Sequence, residues 1–144
     1  MKILKRHRIT HSERDTIIRR IREFLGKEPV LFAYLYGSFA SENEFNDIDL
    51  AVYLDEEAFS DDQEIFDRAL SLSARLDVGY EVEVHPLNLV PLSYRFCVIN
   101  KGQLIYEGDR RSRIEFEVRT RDLYFDFRPH REFYFRRIVL GEKE

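Results

Sequence analysis

The 144-residue sequence contains one cysteine, no tryptophan and no long apolar run. A single cysteine excludes a disulfide within the chain. Cys97 lies between apolar neighbours in YRFCVIN, a context typical of a buried, unreactive thiol. The longest apolar stretch, Val30 to Tyr36, is too short to span a bilayer. Because the N-terminal residues also lack the apolar core of a secretory signal, we predict a cytoplasmic protein with no membrane contact.

An excess of basic charge is also missing, since the formal net charge is −4. Binding to nucleic acid is dominated by clustered Lys and Arg, so this charge argues against nucleic acid as the main partner. Two stretches, KILKRHR near the N-terminus and RRSRIEFEVRTRD near the C-terminus, are basic or mixed. We interpret both as solvated surface.

The composition that is present, 44% hydrophobic and 35% charged, is typical of a folded globular chain. The length suits one domain, and no linker or repeat is visible. We therefore predict a single domain over residues 1–144, with a C-terminal helical segment at about residues 110–140.

Helical and strand patterns alternate along the chain. The first helix is predicted from about Glu13 to Leu25, with Ser12 as its N-cap, Asp15 in the capping-box position and Gly26 closing it. Predicted strands follow in the segments PVLFAYLYG, DIDLAVYL, YEVEVHPLN and GQLIYEG, and further helices in QEIFDRALSLSARLD and LVPLSYRFCVIN. This order predicts an α/β (α+β) fold with a helical tail.

The C-terminal third is predicted as a helix to about Phe127, broken near Pro129. It is rich in aromatic residues, which together with Arg are enriched at protein interfaces. For any single aromatic residue, covering the sheet is the alternative role. The apolar residues concerned are Phe116, Leu123, Tyr124, Phe125, Phe127, Phe133, Tyr134 and Phe135.

Two carboxylates stand at the start of the second strand, in DIDL. Side chains at i and i+2 of a strand share one face, so Asp47 and Asp49 would present their oxygens together, and a divalent cation is the usual remedy for such crowding. Glu81 and Glu83 share one face of the third strand, and Glu83 could add a carboxylate if that strand pairs with the second. Three acids on adjacent strands form the kind of Mg²⁺ site that holds two ions during phosphoryl or nucleotidyl transfer.

A Gly-Ser pair ends the preceding strand. Gly37 would let the backbone approach a triphosphate closely, and Ser38 could bind phosphate oxygens through its N–H and hydroxyl at the start of a short helix. A lone D-x-D motif is more often a solvated turn than a metal site, and a lone Gly-Ser pair is an even weaker signal of a binding site. The combination of strand, Gly-Ser, spacer, DIDL and a later strand with paired acids is much more specific.

This combination resembles the nucleotidyltransferase superfamily with the DNA polymerase β-like fold. Such a fold implies a small mixed sheet flanked by helices. The stretches YGSFASENEFNDIDLAVYL and YEVEVHPLNLVPLSYRFCVINKGQLIYEGD further resemble the minimal nucleotidyltransferase antitoxins of the MntA type, partners of HEPN-domain toxins. That resemblance implies a Mg²⁺-dependent enzyme that transfers AMP from ATP to a tyrosine of its cognate HEPN ribonuclease and thereby neutralises the toxin.

The resemblance also implies site residues. Gly37 and Ser38 match the phosphate-binding pair, Asp47 and Asp49 match the metal ligands, and Glu83 matches the third acid, which would share a metal or act as a base. Many relatives have Asp at that third position, and Glu81 remains the alternative to Glu83. Two other functions also remain open: a non-catalytic antitoxin that occludes its toxin, and a nucleotidyltransferase acting on RNA or a small molecule.

Overall fold

The computed structural model describes residues 7–37, 39, 44–45, 47–138 and 141. Six strands are present among them: β1 (His7–Arg8), β2 (Val30–Tyr36), β3 (Glu44–Phe45), β4 (Ile48–Leu54), β5 (Val82–Pro86) and β6 (Gln103–Glu107). The α-helices are α1 (His11–Leu25), α2 (Asp62–Arg75), α3 (Leu92–Lys101) and α4 (Arg110–Ile138), and a 3₁₀ turn spans Glu56–Ala58. Within this described part, no helix is both long and apolar enough to cross a membrane.

Four strands form a mixed sheet in the order β5-β4-β2-β6. β2 pairs antiparallel with β4 and with β6, whereas β4 and β5 are parallel and are joined through α2. β1 and β3 form a separate antiparallel pair. The α/β fold with a small mixed sheet flanked by helices is therefore confirmed, and the continuous apolar run of β2 is explained by its central place in the sheet.

The two faces of the sheet differ in composition. One face packs against α1 and α2 and buries apolar strand residues: Val30, Ala33, Leu35, Ile48, Leu50, Val52, Leu54, Val82, Val84 and Ile105. The other face packs against α3 and α4 and buries Phe32, Tyr34 and Ala51. The alternation of side chains along β4 therefore separates Ile48, Leu50 and Val52 from Asp49, Ala51 and Tyr53.

The first helix begins earlier than predicted. Thr10, not Ser12, is the N-cap: its backbone is extended, and its side-chain oxygen accepts a hydrogen bond from the Glu13 N–H at 3.1 Å. The Ser12 carbonyl already accepts a hydrogen bond from the Thr16 hydroxyl within the helix. Because ITHSERD offers two hydroxyl residues two positions apart, the sequence pattern alone could not separate the two caps.

The predicted helix break near Pro129 is wrong, because α4 runs without interruption from Arg110 to Ile138. A proline inside a helix removes one hydrogen bond and costs about 3 kcal/mol, a penalty that a helix of this length can absorb. Among the tail residues predicted to form an interface, Phe116 packs on Phe32 and Tyr53, so it serves the core. Phe125 and Leu123 remain exposed, and the side chains of residues 127 and 133–135 lie outside the described part.

Cys97 is exposed, so the prediction of a buried thiol is also wrong. It lies on α3, where Val98 and Ile99 are the buried residues. Successive residues of a helix point in directions about 100° apart, so apolar neighbours in the sequence do not ensure that Cys97 faces the core.

Candidate functional site

The turn after β2 brings the glycine of the Gly-Ser pair against the DIDL motif. Tyr36, the last residue of β2, pairs with Asp49 in the antiparallel β2–β4 ladder. Gly37 follows with a φ of +77°, which favours glycine, and a Cβ added there would lie 2.6 Å from Asp49 Oδ2. Glycine is thus required twice, for its backbone conformation and for the close approach of the carboxylate. Ser38 lies outside the described residues.

Asp49 faces a second carboxylate across the parallel ladder. Glu83 of β5 is its register partner, and Asp49, Glu83 and His85 each offer a ligand atom within 4.8 Å of the others. Glu81 precedes β5 and is exposed, and its carbonyl accepts the Ile48 N–H at 3.1 Å. The structure therefore places Glu83, rather than Glu81, beside Asp49.

Asp47 occupies a different position. It is half-buried and lies in a bend one residue before β4 begins, and it is not part of the three-residue cluster that the described residues form. Asp47 and Asp49 would share one face of the sheet if both belonged to one strand. Because Asp47 is outside the strand, strand geometry does not fix its side chain on the face of Asp49.

The side chains of this cluster have the chemistry needed to bind a cation. Asp49 and Glu83 supply the oxygen ligands that Mg²⁺ prefers, and the absence of a Cβ at Gly37 leaves space beside Asp49. The Glu83 and His85 side chains are each 39% exposed, so an ion can reach them from solvent. The residues present therefore fit a divalent metal ion.

Aromatic residues line one side of this cluster. The Tyr36 ring lies 6.0 Å from the His85 ring and 5.7 Å from the Tyr94 ring, and the two tyrosine hydroxyls are hydrogen-bonded to each other. Burial raises the pKa of Tyr94 to about 12, and the neighbouring Cys97 acts in the same direction, so Tyr94 stays neutral at pH 7. Tyr94 belongs to α3, and nothing in the sequence pattern linked this helix to the site.

The turn that carries the Gly-Ser pair is also tied to α1. The buried Arg14 guanidinium donates a hydrogen bond to the carbonyl of Phe39 and lies 4.6 Å from the centre of its ring. Phe39 is fully buried and directly follows Ser38. Arg14 therefore fixes the position of the residue next to the predicted phosphate-binding serine, a role that the helical pattern of α1 did not reveal.

The comparison with protein families decides the identity of the fold. The model described as "Polymerase beta, Nucleotidyltransferase" matches residues 19–111, which include every element from the middle of α1 to the start of α4. The chain belongs to this nucleotidyltransferase family. A comparison with curated proteins gives no match.

Solved structures of toxin–antitoxin complexes contain similar chains. A chain of a toxin–antitoxin structure with AMP-PNP matches this nucleotidyltransferase with a TM-score of 0.65 and 20% identity, over 85% of this chain and 98% of that one. A chain of an MntA-HepT structure matches with a TM-score of 0.63 and 19% identity, over 87% of this chain and 98% of that one. A chain of a complex between a tri-AMPylated Shewanella oneidensis HEPN toxin and an MNT antitoxin matches with a TM-score of 0.60 and 20% identity. This match covers 91% of this chain and 99% of that one. The fold of this nucleotidyltransferase is thus that of the MntA structures.

Proposed function

We propose that this nucleotidyltransferase is an antitoxin that adenylylates a tyrosine of a cognate HEPN ribonuclease toxin, using ATP and Mg²⁺ in the cytoplasm. The observation that carries the proposal is the contact between the Gly37 turn and Asp49, which itself faces Glu83. This contact joins a turn suited to phosphate with carboxylates suited to metal ions. The fold shared with chains from complexes that contain AMP-PNP or an AMPylated toxin supports the same conclusion.

In this proposal each site residue has a defined task. The Gly37 turn, with Ser38, binds and orients the triphosphate of ATP. Asp47, Asp49 and Glu83 hold Mg²⁺, and we expect two ions. Mg²⁺ supplies charge neutralisation for the phosphates and for the leaving pyrophosphate.

The reaction is an in-line displacement. The oxygen of the toxin tyrosine forms a bond to the α-phosphorus of ATP, the bond from that phosphorus to the bridging oxygen breaks, and pyrophosphate leaves. The tyrosine proton passes to a site carboxylate, for which Glu83 is the candidate, or to water. The exposed side chains of Leu123 and Phe125 on α4 are candidates for the surface that receives the toxin.

Intact-mass spectrometry tests this function. A HEPN protein encoded beside this chain's gene is incubated with the antitoxin, ATP and Mg²⁺, and we expect it to gain one or more adenylate units. Asp49→Asn and Glu83→Gln should reduce the rate of transfer by about two orders of magnitude or more, the loss typical of removing an electrostatic stabiliser. Glu81→Gln is the matched control, because Glu81 is exposed and outside the cluster, and it should retain transfer.

Two outcomes would contradict the proposal. A stable complex with no mass increase would identify an antitoxin that acts by occlusion. Transfer to RNA or to a small molecule in the absence of any HEPN protein would identify a different acceptor.

A further inference from the structure

His85 lies beside the two carboxylates of the proposed metal site. It follows Glu83 by two positions in β5 and therefore points to the same face of the sheet. Its Nε2 atom is 3.7 Å from Glu83 Oε2, and the ligand atoms of Asp49, Glu83 and His85 all lie within 4.8 Å of one another.

The surroundings of His85 direct its ring toward the carboxylates. Its register partner in β4 is Ala51, which places only a methyl group next to the imidazole on that side. Tyr36 and Tyr94 contact the ring at centroid distances of 6.0 Å and 6.2 Å, and their hydroxyls are hydrogen-bonded to each other. The imidazole is thus flanked by a small residue and two linked tyrosines, with Glu83 beside it.

These distances are close to those of a shared ion. Ligand atoms about 2.1 Å from a metal are about 3 Å apart when adjacent in the coordination sphere and about 4 Å apart when opposite. The 3.7 Å between His85 and Glu83 falls inside this range. The other pairs of ligand atoms, all within 4.8 Å, would reach it if each side chain moved by about 1 Å or less. Both side chains are partly exposed and have room for such movements.

We propose that His85 is a third ligand of the ion held by Asp49 and Glu83, and that it makes this site prefer first-row transition ions such as Mn²⁺ over Mg²⁺. Carboxylates suit both ions. Imidazole nitrogen is a ligand of first-row transition ions, which it binds most weakly in the case of Mn²⁺, whereas the ligands that suit Mg²⁺ are oxygen atoms. The proposal rests on the proposed metal-dependent function, and it adds a ligand and a metal preference to that site.

Metal binding by the chain alone tests the proposal, without nucleotide or toxin. Isothermal titration at pH 7.5 measures the Kd for Mn²⁺ and, separately, for Mg²⁺. The informative variant is His85→Phe, because it keeps an aromatic ring between Tyr36 and Tyr94 and removes the ligand nitrogen. We expect its Mn²⁺ affinity to fall about tenfold or more while its Mg²⁺ affinity changes much less. His11→Phe is the control for adventitious binding, since His11 is an exposed histidine on α1, and both affinities should be unchanged.

The outcomes separate the possible explanations. Unchanged Mn²⁺ affinity in His85→Phe would show that His85 is not a ligand. An equal fall in the affinities for Mn²⁺ and Mg²⁺ would show that His85 only shapes the site. Either result overturns the proposal. Asp49→Asn tests the underlying site, because it should remove binding of both metals. If Mn²⁺ binding depends on Asp49 and His85 but no adenylate reaches the toxin, the proposed function fails and the assignment of His85 stands.

Discussion

The two faces of the four-stranded sheet use the same strands for different purposes. On the face toward α1 and α2, β4 presents Ile48, Leu50 and Val52, all fully buried. On the opposite face the same strand presents Asp49, which is half-buried and lies against the Gly37 turn. One face is thus devoted to packing, whereas the other combines packing with a solvent-accessible polar cluster at one edge.

Because of this difference, we expect that the stability of the protein and the proposed metal binding can be changed separately. A substitution on the packing face should alter the free energy of unfolding and leave the ion affinity of folded molecules intact. A substitution at the edge of the sheet that carries the site should alter the ion affinity, with or without a change in the free energy of unfolding. Three substitutions and one matched control test this separation.

The largest loss of stability is expected for Leu50→Ala. Leu50 is fully buried on the packing face, and removing a buried leucine side chain costs about 2–5 kcal/mol through lost burial and a residual cavity. Urea denaturation followed by circular dichroism measures the change. The Mn²⁺ affinity of the protein that remains folded should match the wild type, and a specific loss of affinity would show that the two faces are coupled.

A smaller loss, with a functional effect, is expected for Gly37→Ala. The positive φ alone costs about 1–2 kcal/mol for alanine. The new Cβ would also displace the Asp49 carboxylate, so Mn²⁺ affinity should fall about tenfold, measured by titration calorimetry.

Gly79→Ala provides the matched control for this variant. Gly79 has a φ of +87°, and a Cβ added there has no atom within 4 Å. It should therefore lose a similar amount of stability without any loss of metal affinity. Equal affinities in the two alanine variants would show that contact with Asp49 does not matter.

The smallest effect is expected for Tyr34→Phe, on the same face as the site but away from it. The buried Tyr34 hydroxyl donates a hydrogen bond to Glu117 at 2.7 Å, and burial, followed by Glu117, raises the pKa of Tyr34. Glu117 keeps its ion pair with Arg113 after the substitution, so the free energy of unfolding should fall by only about 1 kcal/mol. Urea denaturation measures this loss, and metal affinity should not change. A loss as large as that of Leu50→Ala would mean that the interior of this face tolerates substitution no better than the packing face.

Much of the sheet could be predicted from the sequence because local patterns determine it. The alternation in DIDLAVYL is typical of a strand with Asp49 and Leu50 on opposite faces, and the continuous apolar run before Gly37 is typical of a central strand. The structure has both features. The pairing that puts Glu83 opposite Asp49 was a conditional prediction, since register is decided by the packing of whole strands.

The remainder of the site depends on contacts between distant segments, which carry no local signal. Tyr94 reaches the cluster because α3 packs on the sheet, and Arg14 reaches Phe39 because α1 packs beside the Gly37 turn. The prediction for Asp47 relied on strand alternation, but β4 begins at Ile48, one residue after Asp47. The catalytic and metal-binding roles of the site residues stay predictions until they are measured.

The parallel pairing of β4 with β5 also has a consequence for folding kinetics. Gly37 and Asp49 lie close together along the chain, but Glu83 joins them only after α2 has crossed over the sheet. Pairings between distant segments form slowly because loop closure must precede the contacts that reward it. Metal affinity should therefore develop late during refolding. The time at which metal binding appears would report when β5 pairs with β4.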